Sequence, residues 1–337
     1  MVTVMTARAR VDAELVRRGL ARSRRHAAEL VAAGRVSVDG RPVAKPSAAV
    51  AGEAGVSVSP GDPGEAEYAS RAGLKLAGAL DALAHESRGT YRLPAASGAS
   101  AGHGGSAARD GSSGHRTPVV AGAWCADLGA STGGFTDVLL RRGAGHVVAI
   151  DVGHGQLVER LREDPRVTVV EGKNVRDLTL ADLERAPDLV TGDLSFISLT
   201  LVLPAVAAVL PPHGNALLLV KPQFEVGRGR LGRGGVVRDP ALHAEALTTV
   251  VRAAEDAGLR LRAIVPSRLP GPSGNREFFV WLAADATAPA ADGGELAGAV
   301  TAAVVPEAAV PDDSGSADSG PAEPGRADQG PGDLEQA

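Results

Sequence analysis

The sequence predicts an α/β protein, a Rossmann-like doubly wound sheet preceded by a small α+β domain. Three observations carry that expectation. From residue 121 onward, short apolar runs alternate with segments of helical period. The first run, Ala123 to Ala126, passes through Asp127 into the glycine-rich stretch Leu128-Gly-Ala-Ser-Thr-Gly-Gly134 and then a periodic segment from Phe135 to Arg141, which reads strand, loop, helix. The first fifty residues, by contrast, hold 10 Lys or Arg against 4 acids, a local charge of +6, and follow the order helix, helix, hairpin.

Taken in order, residues 8–20 put Val11, Leu15 and Val16 on one helical face, with Gly19 as C-cap. Ser23 caps a second helix, Arg24 to Ala33, whose start is crowded by Arg22, Arg24 and Arg25. Arg35 to Val43 alternates around Asp39-Gly40, the signature of a hairpin, and Val56 to Ser59 completes the small sheet. Residues 61–87 form a linker and the first helix of the larger domain, with Lys75 near the start of that helix. Residues 88–120 are Gly, Ser and Ala without a period, the composition of a disordered insert. Its His103 and His115 lack metal-ligand spacing with the lone Cys125, so no metal site is expected.

Residues 121–283 then predict strands at Val167–Glu171, Asp188–Ser195, Ala216–Val220, Leu259–Val265 and Glu277–Leu282, and helices at Leu180–Arg185, Leu199–Leu210 and Pro240–Ala257. Residues 284–337 hold 11 acids against the single base Arg326 and read as a disordered acidic tail. That tail masks the basic front: the net charge is −5, but residues 1–283 carry +5. No apolar stretch is long enough to span a membrane and no signal peptide is evident, which points to the cytoplasm.

In a doubly wound sheet, ligands bind at the carboxyl ends of the strands, where Asp127, Asp151, Asp193 and Lys221 fall. Asp151 closes a second apolar run about twenty residues after Asp127, the place for an acid that hydrogen-bonds a ribose. The glycine spacing is not the G-x-G-x-x-G of a dinucleotide site, so S-adenosylmethionine is the expected cofactor and an NAD-linked oxidoreductase is disfavoured. Asp193-Leu-Ser-Phe196 lacks the paired prolines of base-amine methyltransferases, and Cys125 is misplaced for a cytosine carbon-5 nucleophile.

The N-terminal phrase Ala33-Gly-Arg-Val-Ser-Val-Asp-Gly-Arg41 resembles the small RNA-binding module named after ribosomal protein S-four, over residues 8–60. Lys75, Asp193, Lys221 and Glu277, in these contexts, resemble the tetrad of the FtsJ/RrmJ class of ribose 2′-O-methyltransferases. The fuller set, Ser70-Arg-Ala-Gly-Leu-Lys-Leu76, Gly192-Asp-Leu-Ser-Phe-Ile-Ser198, Lys221-Pro-Gln-Phe-Glu225 and Asn275-Arg-Glu-Phe-Phe279, is similar to the TlyA family of rRNA methyltransferases, historically called hemolysins.

The resemblance implies methylation of a cytidine ribose in small- and large-subunit rRNA, with rRNA of the ribosomal subunits as partner and neither DNA nor membrane. It implies Lys221 as base, Asp193 orienting it, and Lys75 and Glu277 positioning the ribose. A lysine serves as base only in its neutral form, which burial or a second cation favours. Asp127, Gly129, Ser131, Thr132, Gly133 and Gly134 are expected to line the cofactor, with Asp151 on its ribose, Asp177 near its adenine amine and Phe196 against the adenine. Arg22, Arg24, Arg25, Arg35 and Arg41 are expected to meet RNA through phosphate and shape contacts, since no aromatic precedes Tyr68. The rival readings are a membrane-active hemolysin, against which the missing signal and span argue, and a noncatalytic ribosome-binding factor, against which the intact tetrad argues.

Overall fold

The computed structural model describes residues 8–21, 24–32, 34–59, 68–85, 91–92, 117–271 and 273–305. In the N-terminal domain, β1 (Arg8–Arg10) pairs antiparallel with β4 (Ala49–Ala51). Helices α1 (Val11–Arg17) and α2 (Arg24–Ala32) follow β1, and β2 (Val36–Val38) lies between β3 (Arg41–Pro42) and β5 (Val56–Val58). Residues 8–10, expected as the first helical turn, are a strand because β4 supplies their ladder partner. Asp39 and Gly40 both have positive φ, 49° and 77°, the conformation that the expected Asp-Gly turn requires. Val11, Leu15, Ala27, Leu30, Val31, Val36 and Val50 form this domain's core.

The larger domain begins with α3 (Ala72–Ala84) and a two-residue strand β6 (Tyr91–Arg92), so the described start of the expected insert is paired; residues 93–116 lie outside the described residues. It continues through β7 (Trp124–Leu128), α4 (Gly134–Arg141), β8 (His146–Asp151), α5 (Glu159–Arg162), β9 (Val167–Glu171), β10 (Leu189–Gly192), α6 (Leu203–Val209), β11 (Asn215–Val220), α7 (Pro222–Glu225), α8 (Pro240–Asp256), β12 (Arg260–Pro266), β13 (Phe278–Ala283) and α9 (Gly293–Val304). The eight strands run in the order β6-β12-β13-β11-β10-β7-β8-β9. Strands β7 to β11 are mutually parallel, while β13 is antiparallel to both β11 and β12. The chain winds outward from β7 to β8 and β9, then returns to β7's other side as β10. The sheet therefore switches direction at β7, which opens a crevice beyond its carboxyl end.

Three sequence expectations give way here. Leu199–Leu210 is a 3-10 turn (Leu199–Leu201) followed by α6, because Pro204 lacks an N–H and is tolerated only in a helix's first turn. Leu180–Arg185 shrinks to one 3-10 turn, Leu180–Asp182. Part of the stretch expected as a tail from 284 is helical, since α9 starts at a capping box of Asp292 and Glu295 and buries Leu296, Ala299, Val300, Ala303 and Val304 in the main core. Residues 306–337 lie outside the described residues.

Helix α3 joins the sheet domain by close backbone approach. A Cβ on Gly134 would lie 2.3 Å from Ser70 Oγ and 3.0 Å from Gly73 N, and one on Gly73 would lie 3.0 Å from Gly134 O. Beside this contact the buried Asp137 accepts from Ala69 N at 2.8 Å and pairs with Arg141 and Arg160. Gly134→Ala is expected to destabilise the domain by about 1–3 kcal/mol through this overpacking, despite alanine's better helix propensity. Urea unfolding checks it, and an unchanged midpoint would mean that the helices part without cost.

Candidate active site

Lys221 follows the buried strand β11 and Asp193 follows its neighbour β10, so the two meet at the carboxyl edge of the sheet. Lys221 Nζ lies 2.6 Å from Asp193 Oδ1 and donates to Ser195 Oγ at 2.8 Å. The ammonium is 7% exposed. Glu225 braces the arrangement: it accepts from Ser198 Oγ at 2.5 Å and from Leu199 N at 2.9 Å, which ties the segment after Asp193 to the segment after Lys221. Burial pushes the Glu225 carboxyl above its ordinary range, and those two hydrogen bonds oppose the shift.

A second buried pair forms beside the first. Lys75, carried by α3, donates to Glu277 Oε2 at 2.5 Å, with Lys75 7% and Glu277 2% exposed. Val220 stands opposite Phe278 in the β11–β13 ladder, so Lys221 and Glu277 are the next residues on neighbouring strands. Glu277 Oε1 is buried with no hydrogen-bond partner, and Gly271 closes over it: a Cβ there would lie 2.4 Å from that oxygen. The four residues expected to form the tetrad thus make two ion pairs on one sheet edge.

The glycine loop lies across the switch point. Gly129 N and Ala130 N donate to Ile150 O at 2.8 and 3.0 Å. Asp151 then accepts from Ser131 N at 2.8 Å and from Gly153 N at 2.7 Å, and Ser131 takes a positive φ of 49°. A pocket opens here, lined by Ala130, Ser131, Asp151, Gly153, Gln156, Leu157 and Glu171 among others. Gln156 and Glu171 carried no signal in the sequence. Gly133 (φ 97°) caps α4 and packs against Leu157 and Leu161, with Thr132 O accepting from Val158 N at 3.4 Å, while Gly134 serves the contact with α3.

Asp127 is fully buried and accepts from Thr136 Oγ1 at 2.7 Å and from Thr191 Oγ1 at 3.3 Å. It fixes the loop from behind and does not face the pocket. Asp177 is exposed in a 3-10 turn after β9, outside the pocket's lining.

Phe196 departs furthest from a core residue. It is 92% exposed, has φ 66°, and its ring centroid lies 5.3 Å from that of Phe224. Lys221 Nζ stands 6.0 Å over Phe224. The exposed ring therefore belongs to the Lys221 side of the crevice.

Of the arginines expected to meet RNA, Arg24 and Arg41 are exposed, and Arg35 donates to Ser59 O at 2.9 Å. Arg22 and the Arg25 side chain lie outside the described residues. Arg10, not anticipated, shares the buried Asp12 with Arg24, at 2.8 and 3.3 Å. The bond to Arg10 holds the Asp12 carboxyl down to about 2. Among the described residues no helix is long and apolar enough to cross a membrane, and no group of three or more His, Cys, Asp or Glu suits a metal ion.

Comparison with known proteins gives two family matches: FtsJ-like methyltransferase over residues 68–284 and S4 domain over residues 9–56. The 16S/23S rRNA (cytidine-2′-O)-methyltransferase TlyA of Mycobacterium tuberculosis is 48% identical over 278 residues, 82% of this chain and 91% of that protein. Hemolysin A of Brachyspira hyodysenteriae is 40% identical over 156 residues, 46% of this chain and 65% of that protein. A Streptococcus thermophilus protein of solved structure that carries a hemolysin name superimposes with a TM-score of 0.61 at 33% identity, over 88% of this chain and 96% of that one.

One consequence of the site is a pH dependence. Burial pushes the Asp127 carboxyl up to about 7, against the hydrogen bonds from Thr136 and Thr191. Because the folded value is raised, the group's contribution to stability is complete below the ordinary carboxylate range and is lost as pH rises through about 7. Melting temperatures of the native protein and Asp127→Asn, taken from pH 5 to about 9, are expected to show the native protein losing ground to the variant as pH rises. A constant difference would place the titration elsewhere.

Proposed function

The chain belongs to the FtsJ-like methyltransferases and, within them, to the TlyA group, and from that membership we propose that it methylates the 2′-hydroxyl of a cytidine ribose in rRNA. The observation that carries the reading is the two ion pairs, Lys221 with the half-buried Asp193 and Lys75 with the buried Glu277, side by side at the carboxyl edge of the sheet.

S-adenosylmethionine, when bound, supplies an electrophilic methyl on a sulfonium. The residues around Asp151 suit such a group in their chemistry: a partly exposed carboxylate closes the second strand, and the glycine loop beside it is built of small residues. Asp151 and Gln156 are the side chains offered to a ribose, Gly129 and Ser131 to Thr132 supply backbone, and Asp127 and Gly134 hold that loop from outside the opening.

A ribose hydroxyl is a weak acid, so its oxygen attacks well only as its proton leaves. Lys221, in its neutral form, is the residue placed to take that proton, and the ammonium paired with Asp193 is the form it holds afterwards. Asp193 and Ser195 fix the direction of Nζ, and Phe224 shields its other side. Lys75, held by Glu277, brings a second cationic donor to the same edge, suited to position a sugar hydroxyl. The exposed Phe196 ring offers its face to the base of the target nucleotide, so its service here is to the acceptor and not to the cofactor's adenine. The basic N-terminal domain holds the surrounding rRNA through Arg10, Arg24 and Arg41.

The test is transfer of labelled methyl from S-adenosylmethionine to unmodified ribosomal subunits, with the modified nucleoside identified. The native protein is expected to yield ribose-methylated cytidine. Lys221→Ala is expected to cut turnover by about a hundredfold or more, the usual worth of a positioned base, while cofactor binding persists. Methyl on a base, or full turnover by Lys221→Ala, would refute the assignment.

Glu277→Gln separates grip from chemistry. It keeps the side chain's size but removes the charge that holds Lys75, leaving an unpaired ammonium in a buried site. Turnover is expected to fall at least tenfold, in line with a loss of about 1.4 kcal/mol or more in the transition state. Steady-state kinetics at saturating rRNA check it, and an unchanged kcat would leave Glu277 a structural residue.

A further inference from the structure

Between Val226 and Asp239 the chain reads Gly-Arg-Gly-Arg-Leu-Gly-Arg-Gly-Gly-Val-Val-Arg, with four arginines, five glycines and no acid. This stretch, residues 227–238, takes no part in the chemistry above. Both of its ends are nevertheless fastened to segments that carry the tetrad. At the front it leaves α7, one residue after Val226, and so follows Lys221 and the Glu225 brace directly. At the back the buried Asn275, two residues before Glu277, accepts from Val237 N at 2.9 Å and donates to Gly235 O at 3.1 Å. His243, also buried, sets its Nε2 against Val237 O at 3.1 Å. Val226 and Val237 pack together with Ala246, and Leu231 leans on them.

The anchors are apolar or neutral, and the charge is left outside. Arg230 is engaged by Glu245. Arg233 and Arg238 are exposed and make no ion pair among the described residues. At Gly227, Gly229, Gly234 and Gly235 nothing lies within 4 Å of where a Cβ would stand, and three of these have φ between 73° and 82°. Bare backbone at left-handed glycines lets a rigid polyanion approach closely, and guanidinium groups match phosphate oxygens in pairs. A stretch with neither acids nor aromatic rings offers no platform for base stacking and nothing to repel a polyanion; it suits a phosphate backbone.

We propose that residues 227–238 form a second RNA-binding surface, on the catalytic domain, in which Arg233 and Arg238 grip the phosphate backbone close to the ribose being methylated. The inference rests on the rRNA reading of the site. Its effect is to hold the acceptor strand at the catalytic edge.

The experiment compares the full-length native chain with Arg233→Ala/Arg238→Ala and with Arg233→Lys/Arg238→Lys. Binding to unmodified rRNA transcripts is measured across a salt series, and methyl transfer is measured with the same transcripts and with intact subunits. The alanine variant is expected to bind rRNA about tenfold more weakly, with a salt slope shallower by about 2, one unit for each lost phosphate contact. Its KM for RNA is expected to rise while kcat at saturating RNA and cofactor binding hold, and the lysine variant is expected to recover most of the affinity. Unchanged affinity and slope in the alanine variant overturn the inference. So does a loss seen with intact subunits and not with naked transcripts, which would assign the surface to a ribosomal protein. Native protein that transfers no methyl to any rRNA sinks the functional reading and this inference with it; native transfer with an unaffected alanine variant sinks the inference alone.

Discussion

Two buried lysines paired with one buried and one half-buried carboxylate at one edge of a sheet are the constraint on which the rest of this structure depends. An ion withdrawn from water costs several kcal/mol, and the cost is offset only where its partner is held in place. Neither pair can find its partner locally: Lys75 and Glu277 are 202 residues apart in the chain, and Lys221 and Asp193 follow different strands. Their geometry is therefore fixed by other contacts. Glu225 joins the two segments that carry Asp193 and Lys221. Asp137, with Ala69 N and two arginines, and the backbone contact between Gly73 and Gly134 hold α3 where Lys75 reaches Glu277.

The same contacts couple the acceptor half of the crevice to the cofactor half. Gly133 and Gly134 open α4, and α4 follows the loop that frames Asp151. One face of that turn meets α3, and another packs on Leu157 and Leu161 beside the pocket. The glycines expected to face a cofactor are thus needed for helix packing as well. Sequence alone does not separate these demands, because a left-handed turn, a close ligand and a close helix all select the same residue.

Much of the catalytic domain was legible because its signals are local. An apolar run, an acid and a glycine-rich turn announce β7 and α4, and the Asp-Gly dipeptide announces the β2–β3 turn. The partnership of Lys75 with Glu277 has no local signal and came only through family resemblance. Nothing in the periodicity of the first helix marks Lys75 for burial, yet it is buried. Helix α9 was missed for a different reason. Its alanines, glycines and valines have the composition of a linker, and the one sharp cue, the Asp292–Glu295 capping box, was submerged in an acidic stretch. Phe196, expected against the adenine from its place after the fourth strand, is exposed and packs on Phe224, an arrangement that no local pattern announces.

Asn275, Arg276 and Glu277 show how an extended segment gathers distant elements at a single edge. Successive side chains of an extended chain point in different directions, so three neighbours can serve three partners. Asn275 holds the backbone at 235–237. Arg276 donates to Val304 O at 2.6 Å and to Ala303 O at 3.3 Å, supplying donors to the last carbonyls of α9 and a positive charge at the end of its dipole. Glu277 holds Lys75. The arginine-rich surface, the C-terminal helix and the helix that carries a tetrad lysine are therefore tied to consecutive residues, with no flexible connection between them. A buried ion pair needs such a mounting, because in a softer one Glu277 would turn away and leave the Lys75 ammonium buried without its partner.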